Sequence, residues 1–83
     1  MFKTEIAIKD DATKERLEVI CKNIQLKDAS FIYVFEKGKY SWVAWTLIVS
    51  STTKNNAFRR GGWLTKATGI EGLHYVVREE TKS

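Results

Sequence analysis

The sequence is poor in the residues that cross-link a chain, bind metal ions or divide it into units. It has one cysteine, one histidine and no proline among its 83 residues. A lone cysteine, Cys21, excludes an intramolecular disulfide and a zinc site built on cysteine pairs. The absence of proline, of a glycine- or serine-rich linker and of any repeat predicts one continuous domain over residues 1–83.

Targeting and membrane-spanning segments are also missing. Met1 to Asp10 has no apolar stretch of signal-peptide length, and the longest strongly apolar run is Trp42 to Val49, far below the ~20 residues of a membrane span. Together with the unpaired cysteine, this predicts a cytoplasmic protein with no membrane partner. A chain of 83 residues buries only one modest core, so we expect function to reside on a surface or in a shallow groove.

Acidic side chains are absent from the middle of the chain. None lies between Lys37 and Ile70, whereas six basic residues do: Lys37, Lys39, Lys54, Arg59, Arg60 and Lys66. The remaining residues hold the other 8 of the 14 basic side chains against all 10 acidic ones, although the whole chain has a net charge of +4. Positive charge that is segregated in this way favours an anionic partner.

Hydrophobic periodicity predicts an α+β domain in which one helix packs on one face of a mainly antiparallel sheet. Partial alternation predicts a strand from Phe2 to Ile8. Asp10 and Asp11 then offer N-cap oxygens, and apolar residues at helical spacing behind them predict an amphipathic helix from about Ala12 to Gln25. Cys21 lies on the apolar side of this helix, which indicates a core residue rather than a reactive thiol.

The second half of the chain has weaker patterns. Ser51 to Gly62 is polar, basic and glycine-ended, which predicts a long loop or an irregular short helix. Trp63 to Thr68 can form a turn or two of helix that Gly69 ends, and Leu73 to Glu79 predicts a last strand. The order is therefore β-α-β-β-(short α or loop)-β, compatible with an RNA-recognition-motif-like or ferredoxin-like layout.

Between the first helix and the loop, two runs of aromatic and β-branched residues predict a β-hairpin. They extend from Ser30 to Phe35 and from Tyr40 to Ser50. A two-residue turn would pair Phe35 with Tyr40 and leave both faces apolar. A three-residue loop with a bulge at Gly38 would pair Val34 with Tyr40 and divide the aromatic residues between the faces. Both registers stay open.

Catalytic groups are scarce, so we expect no enzyme. No nucleophile or phosphate-binding motif is present, and Gly61-Gly62 alone is too weak a signal for a phosphate cradle. One enzyme hypothesis stays open, a metal-independent RNase that uses His74 with Tyr75, Arg78 and the arginine pair. The alternative is that His74 is an ordinary polar strand residue.

Aromatic and basic residues share the acid-free stretch, and this combination is typical of nucleic-acid binding, because cations neutralise phosphates and exposed rings stack bases. The candidate nucleic-acid-binding residues are Lys37, Lys39, Tyr40, Trp42, Lys54, Phe58, Arg59, Arg60, Trp63 and Lys66. Core packing is the alternative for the tryptophans, and we assign it to Trp45. The adjacent arginines have no acidic neighbour in the sequence, which favours contact with a ligand.

The segment Gly38 to Trp45, G-K-Y-S-W-V-A-W, resembles the third-strand octapeptide of RNA recognition motifs. The resemblance implies that Tyr40 and Trp42 stack bases from the open face of the sheet, while Val43 and Trp45 enter the core. The sequence departs from the family pattern in the order of the first two octapeptide residues and in a first strand without the matching aromatic motif. Gly61-Gly62 also interrupts the place where the family has its second helix.

Two hypotheses of different class follow. The first is a non-catalytic protein that binds RNA or another single-stranded nucleic acid, with no cofactor and no metal. The second is a small inhibitor or accessory protein, such as phages encode for counter-defence, that binds and blocks a host nuclease or toxin, with or without RNA. It would use the apolar second face of the hairpin, which also makes a homodimer an expectation.

Overall fold

The fold is taken from a computed structural model, which describes residues 1–38, 40–70 and 72–80. The elements are β1 (Phe2–Ile8), α1 (Asp11–Lys27), β2 (Ile32–Lys37), β3 (Trp45–Ser51), α2 (Lys54–Ala67) and β4 (Tyr75–Glu79). The strands form one antiparallel sheet in the order β2-β3-β1-β4. Each helix joins two strands that have a third strand between them, which is the split βαβ arrangement of ferredoxin-like folds. The predicted α+β class is confirmed, with two full helices instead of one.

The hydrophobic core lies between the helices and one face of the sheet. Its buried members are Ile6, Ile8, Leu17, Cys21, Phe31, Leu47, Val49 and Leu64. Because side chains alternate along a strand, the residues between them point to the opposite face of the sheet, which neither α1 nor α2 covers. Within the described ranges, neither helix has the length and apolar character needed to cross a bilayer.

Helix α1 forms where the sequence predicts it. Asp10 is the N-cap, and its Oδ1 accepts a hydrogen bond from the Thr13 backbone N–H at 2.8 Å. Thr13, Leu17 and Cys21 are the buried residues of the helix, as their spacing predicts. Burial raises the pKa of the Cys21 thiol to about 12, so the thiol stays protonated and packs as a small apolar group.

Helix α2 occupies the stretch for which the sequence predicts a long loop or an irregular short helix, and it is a regular helix of 14 residues instead. Thr53 caps it, with Oγ1 accepting from the Asn56 N–H at 3.2 Å. The two glycines do not interrupt the helix, because Gly61 is buried against Tyr75, and a Cβ at Gly61 would overlap the Tyr75 ring. Close packing on β4 therefore offsets the low helix propensity of glycine. The expected end of the helix is confirmed, since Gly69 follows it with φ +67°.

Neither hairpin register predicted from the sequence occurs. Strand β3 begins only at Trp45, and it pairs Val34 with Ile48 and Phe35 with Leu47. Gly38 and residues 40–44 belong to the loop between β2 and β3, which is closed by a hydrogen bond from the Gly38 N–H to the Ala44 carbonyl at 3.0 Å. The Ala44 N–H in turn donates to the Ile8 carbonyl at 2.8 Å, so the loop is held by β1, a partner that local patterns do not reveal.

Candidate nucleic-acid interface

A groove of about 740 Å³ lies on the uncovered face of the sheet, at the end where the 38–44 loop rises beside it. Its floor consists of alternate residues of three strands, including Ala7 of β1, Ile48 of β3 and Val76 of β4. Tyr40 and Trp42 form part of its wall. The groove therefore has a floor of apolar and charged side chains and an aromatic rim.

The aromatic rim is a stacked pair of exposed rings. The ring centroids of Tyr40 and Trp42 are 5.3 Å apart and their planes differ by 7°, yet each side chain is 63% exposed. The loop beneath them is anchored, because Val43 is buried and its N–H donates to the Tyr40 carbonyl at 3.0 Å. The two rings are thus held in place by the backbone while most of their surface faces water.

The resemblance to RNA recognition motifs describes this region only in part. Trp45 is half-buried and packs against the core, as the resemblance implies. Val43 is buried as well, but it lies outside the core cluster and lines the groove. The Trp45 indole N–H donates to Asp11 Oδ1 at 2.8 Å, which fixes Trp45 against α1 on the helix side of the sheet. Tyr40 and Trp42, however, lie in the loop before β3, so the expectation that they stand on the strand itself is wrong.

The charged side chains of the groove are of both signs. Lys9, Lys37 and Arg78 line it together with Glu5 and Glu36. Arg78 is already engaged, with its Nε 3.1 Å from Glu5 Oε2. Lys37 borders the groove, but its ammonium lies 5.0 Å from the centroid of the Trp45 ring, on the helix side of the sheet. The charges within the groove are consequently close to balanced, and its surface is not strongly basic.

Six of the ten predicted site residues lie on α2, on the other side of the molecule. Lys54, Phe58, Arg59, Trp63 and Lys66 are exposed there, and Arg60 is half-buried. Helix α2 packs on the face of the sheet that carries the core, whereas Tyr40 and Trp42 line the groove on the opposite face. Lys39 lies outside the described residues. The fold therefore does not bring the predicted residues together, and it distributes them over two surfaces.

Arg60 has structural partners that the sequence did not reveal. Its Nη1 donates to the Ser50 carbonyl at 2.9 Å, its Nη2 lies 3.9 Å from Asp28 Oδ2, and its guanidinium lies 5.2 Å from the Phe31 ring centroid. The premise that the arginine pair lacks an acidic neighbour is therefore wrong for Arg60. Arg59 makes no ion pair or side-chain hydrogen bond with the part of the chain that the structure describes.

His74 is an exposed residue just before β4, and it lines the groove. Among residues 1–38, 40–70 and 72–80 no group of three or more histidine, cysteine or carboxylate side chains could hold a metal ion. Of the residues in the RNase hypothesis, His74 and Arg78 line the groove, whereas Arg59 and Arg60 lie on α2 across the sheet, so the fold does not bring the full set together. Replacing His74 with alanine would test whether it supports an RNase reaction.

Lys9, Glu36 and Arg78 line the groove but were not among the predicted site residues. The alternation of β1 puts Glu5, Ala7 and Lys9 on one face, a signal that the sequence contains. What it lacks is the strand order, which places β1 between β3 and β4. Residues from three distant parts of the chain become neighbours only through that order.

A scan against protein-family models finds no match, and searches of curated proteins and of solved structures find no significant match either.

Proposed function

We propose that this protein binds single-stranded RNA, or another single-stranded nucleic acid, across the uncovered face of its sheet, with a base stacking on the Tyr40 and Trp42 pair. The exposed, parallel arrangement of these two rings is the observation that supports the proposal most strongly. Aromatic rings that remain in water leave a large apolar surface unburied. A base that stacks on such a ring contributes about 1–3 kcal/mol of binding free energy.

The anchored loop supports the same function. A flexible loop would lose conformational entropy when it ordered around a ligand, which weakens binding. Here the backbone of Gly38, Tyr40, Val43 and Ala44 forms hydrogen bonds within the loop and to β1 before any ligand arrives. The stacking platform is therefore preorganised, and more of the stacking energy is retained as affinity.

The basic side chains of the groove determine how many phosphates of a bound nucleic-acid strand the protein can contact. Lys9 can meet a phosphate, and Arg78 can do so while it stays beside Glu5. One or two phosphate contacts give modest affinity and little dependence on salt. Stacking, rather than charge, is then the main contribution to binding.

The test is titration of a fluorescently labelled RNA octamer of mixed sequence, followed by anisotropy at low salt. Replacing Trp42 with alanine should cost about 1–3 kcal/mol of binding free energy, roughly a 5- to 150-fold loss of affinity. The matched control is Phe58→Ala, an exposed aromatic residue of α2 on the other side of the sheet, which should bind as the unchanged protein does. Absence of binding by the unchanged protein, or equal losses in both variants, contradicts the proposal.

A second candidate function, binding to a protein such as a host nuclease or toxin, is favoured by the edge strand β2. Ile32 and Val34 are 58% and 49% exposed on the uncovered face, and β2 ends the sheet on one side. An apolar edge strand can add to a strand of a partner or of a second copy. Pull-down after RNase treatment, with Val34→Lys as the comparison, separates direct protein binding from bridging by RNA.

A further inference from the structure

A second, separate cavity lies between the two helices. It has a volume of about 270 Å³ and is walled by Ile24 of α1, Leu64 of α2 and Phe31 of the segment that leads into β2. Trp63 flanks it and is 53% exposed, although its neighbour in the cleft, Leu64, is completely buried. The cleft is therefore an apolar depression with a large aromatic side chain at its rim.

The residues that line this cleft have an excess of positive charge. Arg60 and Asp28 offset each other at its edge, whereas Arg59 lines the cleft and is exposed. Helix α2 also carries Lys54 and Lys66, and no acidic residue occurs anywhere in its 14 residues. A partner that enters the cleft meets an apolar floor and a positive rim.

The chemistry of the walls favours one class of occupant. A volume of about 270 Å³ is enough for one large apolar side chain. A nucleobase in the same place would set its polar edge against isoleucine, leucine and phenylalanine, at about 1–3 kcal/mol for each polar group left without a partner. An apolar side chain avoids that cost, and a carboxylate next to it is attracted by Arg59, which lines the cleft.

We propose that the cleft between α1 and α2 binds an acidic peptide segment of a protein partner, which inserts one large apolar side chain beside Trp63 and sets a carboxylate against Arg59. This inference is independent of the nucleic-acid proposal, because the cleft and the groove lie on opposite faces of the sheet. Tryptophan and arginine are also the residue types that most often dominate the binding energy of protein interfaces.

The experiment is selection of binders from a display library of random dodecapeptides on the full chain freed of nucleic acid. The counter-selection bait is the Trp63→Ala, Arg59→Glu double variant, after its fold has been checked by circular dichroism and urea unfolding. Enriched peptides should contain one leucine, phenylalanine or tryptophan flanked by two or more acidic residues. Each single variant should weaken a synthetic copy of the enriched peptide by at least about tenfold.

Phe58→Ala is the matched control, because Phe58 lies on the side of α2 that faces Tyr75 and not in the cleft. It should bind the peptide with unchanged affinity. No enrichment over the counter-selection bait, enriched peptides without acidic residues, or binding that survives Trp63→Ala overturns the inference. Loss of RNA-octamer binding on Trp63→Ala also overturns it, since the cleft would then serve nucleic acid.

Discussion

Two adjacent arginines have different environments in this protein. Arg60 points toward the sheet, where it donates to Ser50 and lies beside Asp28 and the Phe31 ring. Arg59 points away from the sheet, at the rim of the cleft between the helices. Successive helix residues differ by about 100° in direction, and that rotation alone gives one arginine a structural role and leaves its neighbour available for a ligand.

We expect Arg60→Ala to lower the free energy of unfolding by about 1–3 kcal/mol, because the Ser50 carbonyl loses a charged donor and Phe31 loses packing. Arg59→Ala should change it by less than about 0.5 kcal/mol. Urea unfolding of the two variants, followed by circular dichroism, measures both values. Equal losses would show that the contacts of Arg60 do not contribute to stability.

At the scale of the element, the packing of α2 on the sheet depends on a close approach of its backbone at Gly61 to the ring of Tyr75. Gly61 allows the helix to lie directly on Tyr75 of β4, and a Cβ there would overlap the ring near its attachment to the chain. Gly62 is different, because a Cβ at that position would be 3.7 Å from the Tyr75 hydroxyl, an ordinary contact. One glycine is required by packing and the other only lowers helix propensity.

These two glycines form a matched pair for mutation. Gly61→Ala should destabilise the protein by about 1–3 kcal/mol, because the ring or the helix must move. Gly62→Ala should stabilise it by about 0.5–1 kcal/mol, since alanine loses less backbone entropy in a helix. Thermal or urea unfolding checks both signs. A stabilising Gly61→Ala would mean that α2 does not lie as close to β4 as described.

Helix α1 has a stability that depends on pH through its cap. Hydrogen bonds from the Thr13 side chain and backbone lower the pKa of Asp10 below its ordinary value of 3.8. A carboxylate with a lowered pKa stabilises the folded state above the pKa of the unfolded chain, and this stabilisation is lost as the pH falls through the folded-state pKa.

Asp10→Asn keeps an oxygen that can accept the capping bond but cannot titrate there. The free energy of unfolding of the unchanged protein should therefore fall relative to that of this variant as the pH is lowered from 6 to 2.5, mainly below pH 4. Urea midpoints of both proteins across that range measure the difference. A difference that stays constant with pH would contradict a role for the ionised cap.

At the scale of the whole molecule, the sheet separates two surfaces that the sequence presents as one. The acid-free stretch supplies the Tyr40 and Trp42 rim of the groove on one side and the cations of α2 on the other. A short single strand that lies on the groove cannot reach Lys54, Arg59 and Lys66 at the same time. The basic residues counted along the chain therefore overstate the number of phosphates that one site can hold.

This separation predicts a shallow salt dependence of RNA binding. Five or six phosphate contacts would give a slope of roughly −3.5 to −4 for log K against log salt, whereas the one or two that the groove allows give about −0.7 to −1.4. Anisotropy titrations between 50 and 300 mM salt measure the slope. Lys54→Ala with Lys66→Ala should leave it unchanged, and a slope steeper than about −3 would place α2 in the nucleic-acid interface.

The extent to which the site could be predicted differs from residue to residue. Tyr40 and Trp42 were found from the composition of their segment, and the structure exposes both. Lys9 was not, because it directly follows β1 and only the sheet order brings it to the groove. Arg78 was singled out only for the RNase hypothesis, and the same sheet order brings it there. Arg60 looked available in the sequence because Asp28, its partner, is 32 positions away along the chain.

Local chemistry in the sequence determined the first strand, helix α1 with its aspartate cap, the stop at Gly69 and the segregation of positive charge. Each of these depends on residues a few positions apart, so it can be recognised without knowing what lies across the fold. Only the tertiary structure decided where β3 begins, that α2 continues through two glycines, and which aromatic and basic residues share a face. Those features depend on distant contacts, Ala44 with Ile8 and Gly61 with Tyr75, and such contacts outweigh local propensity.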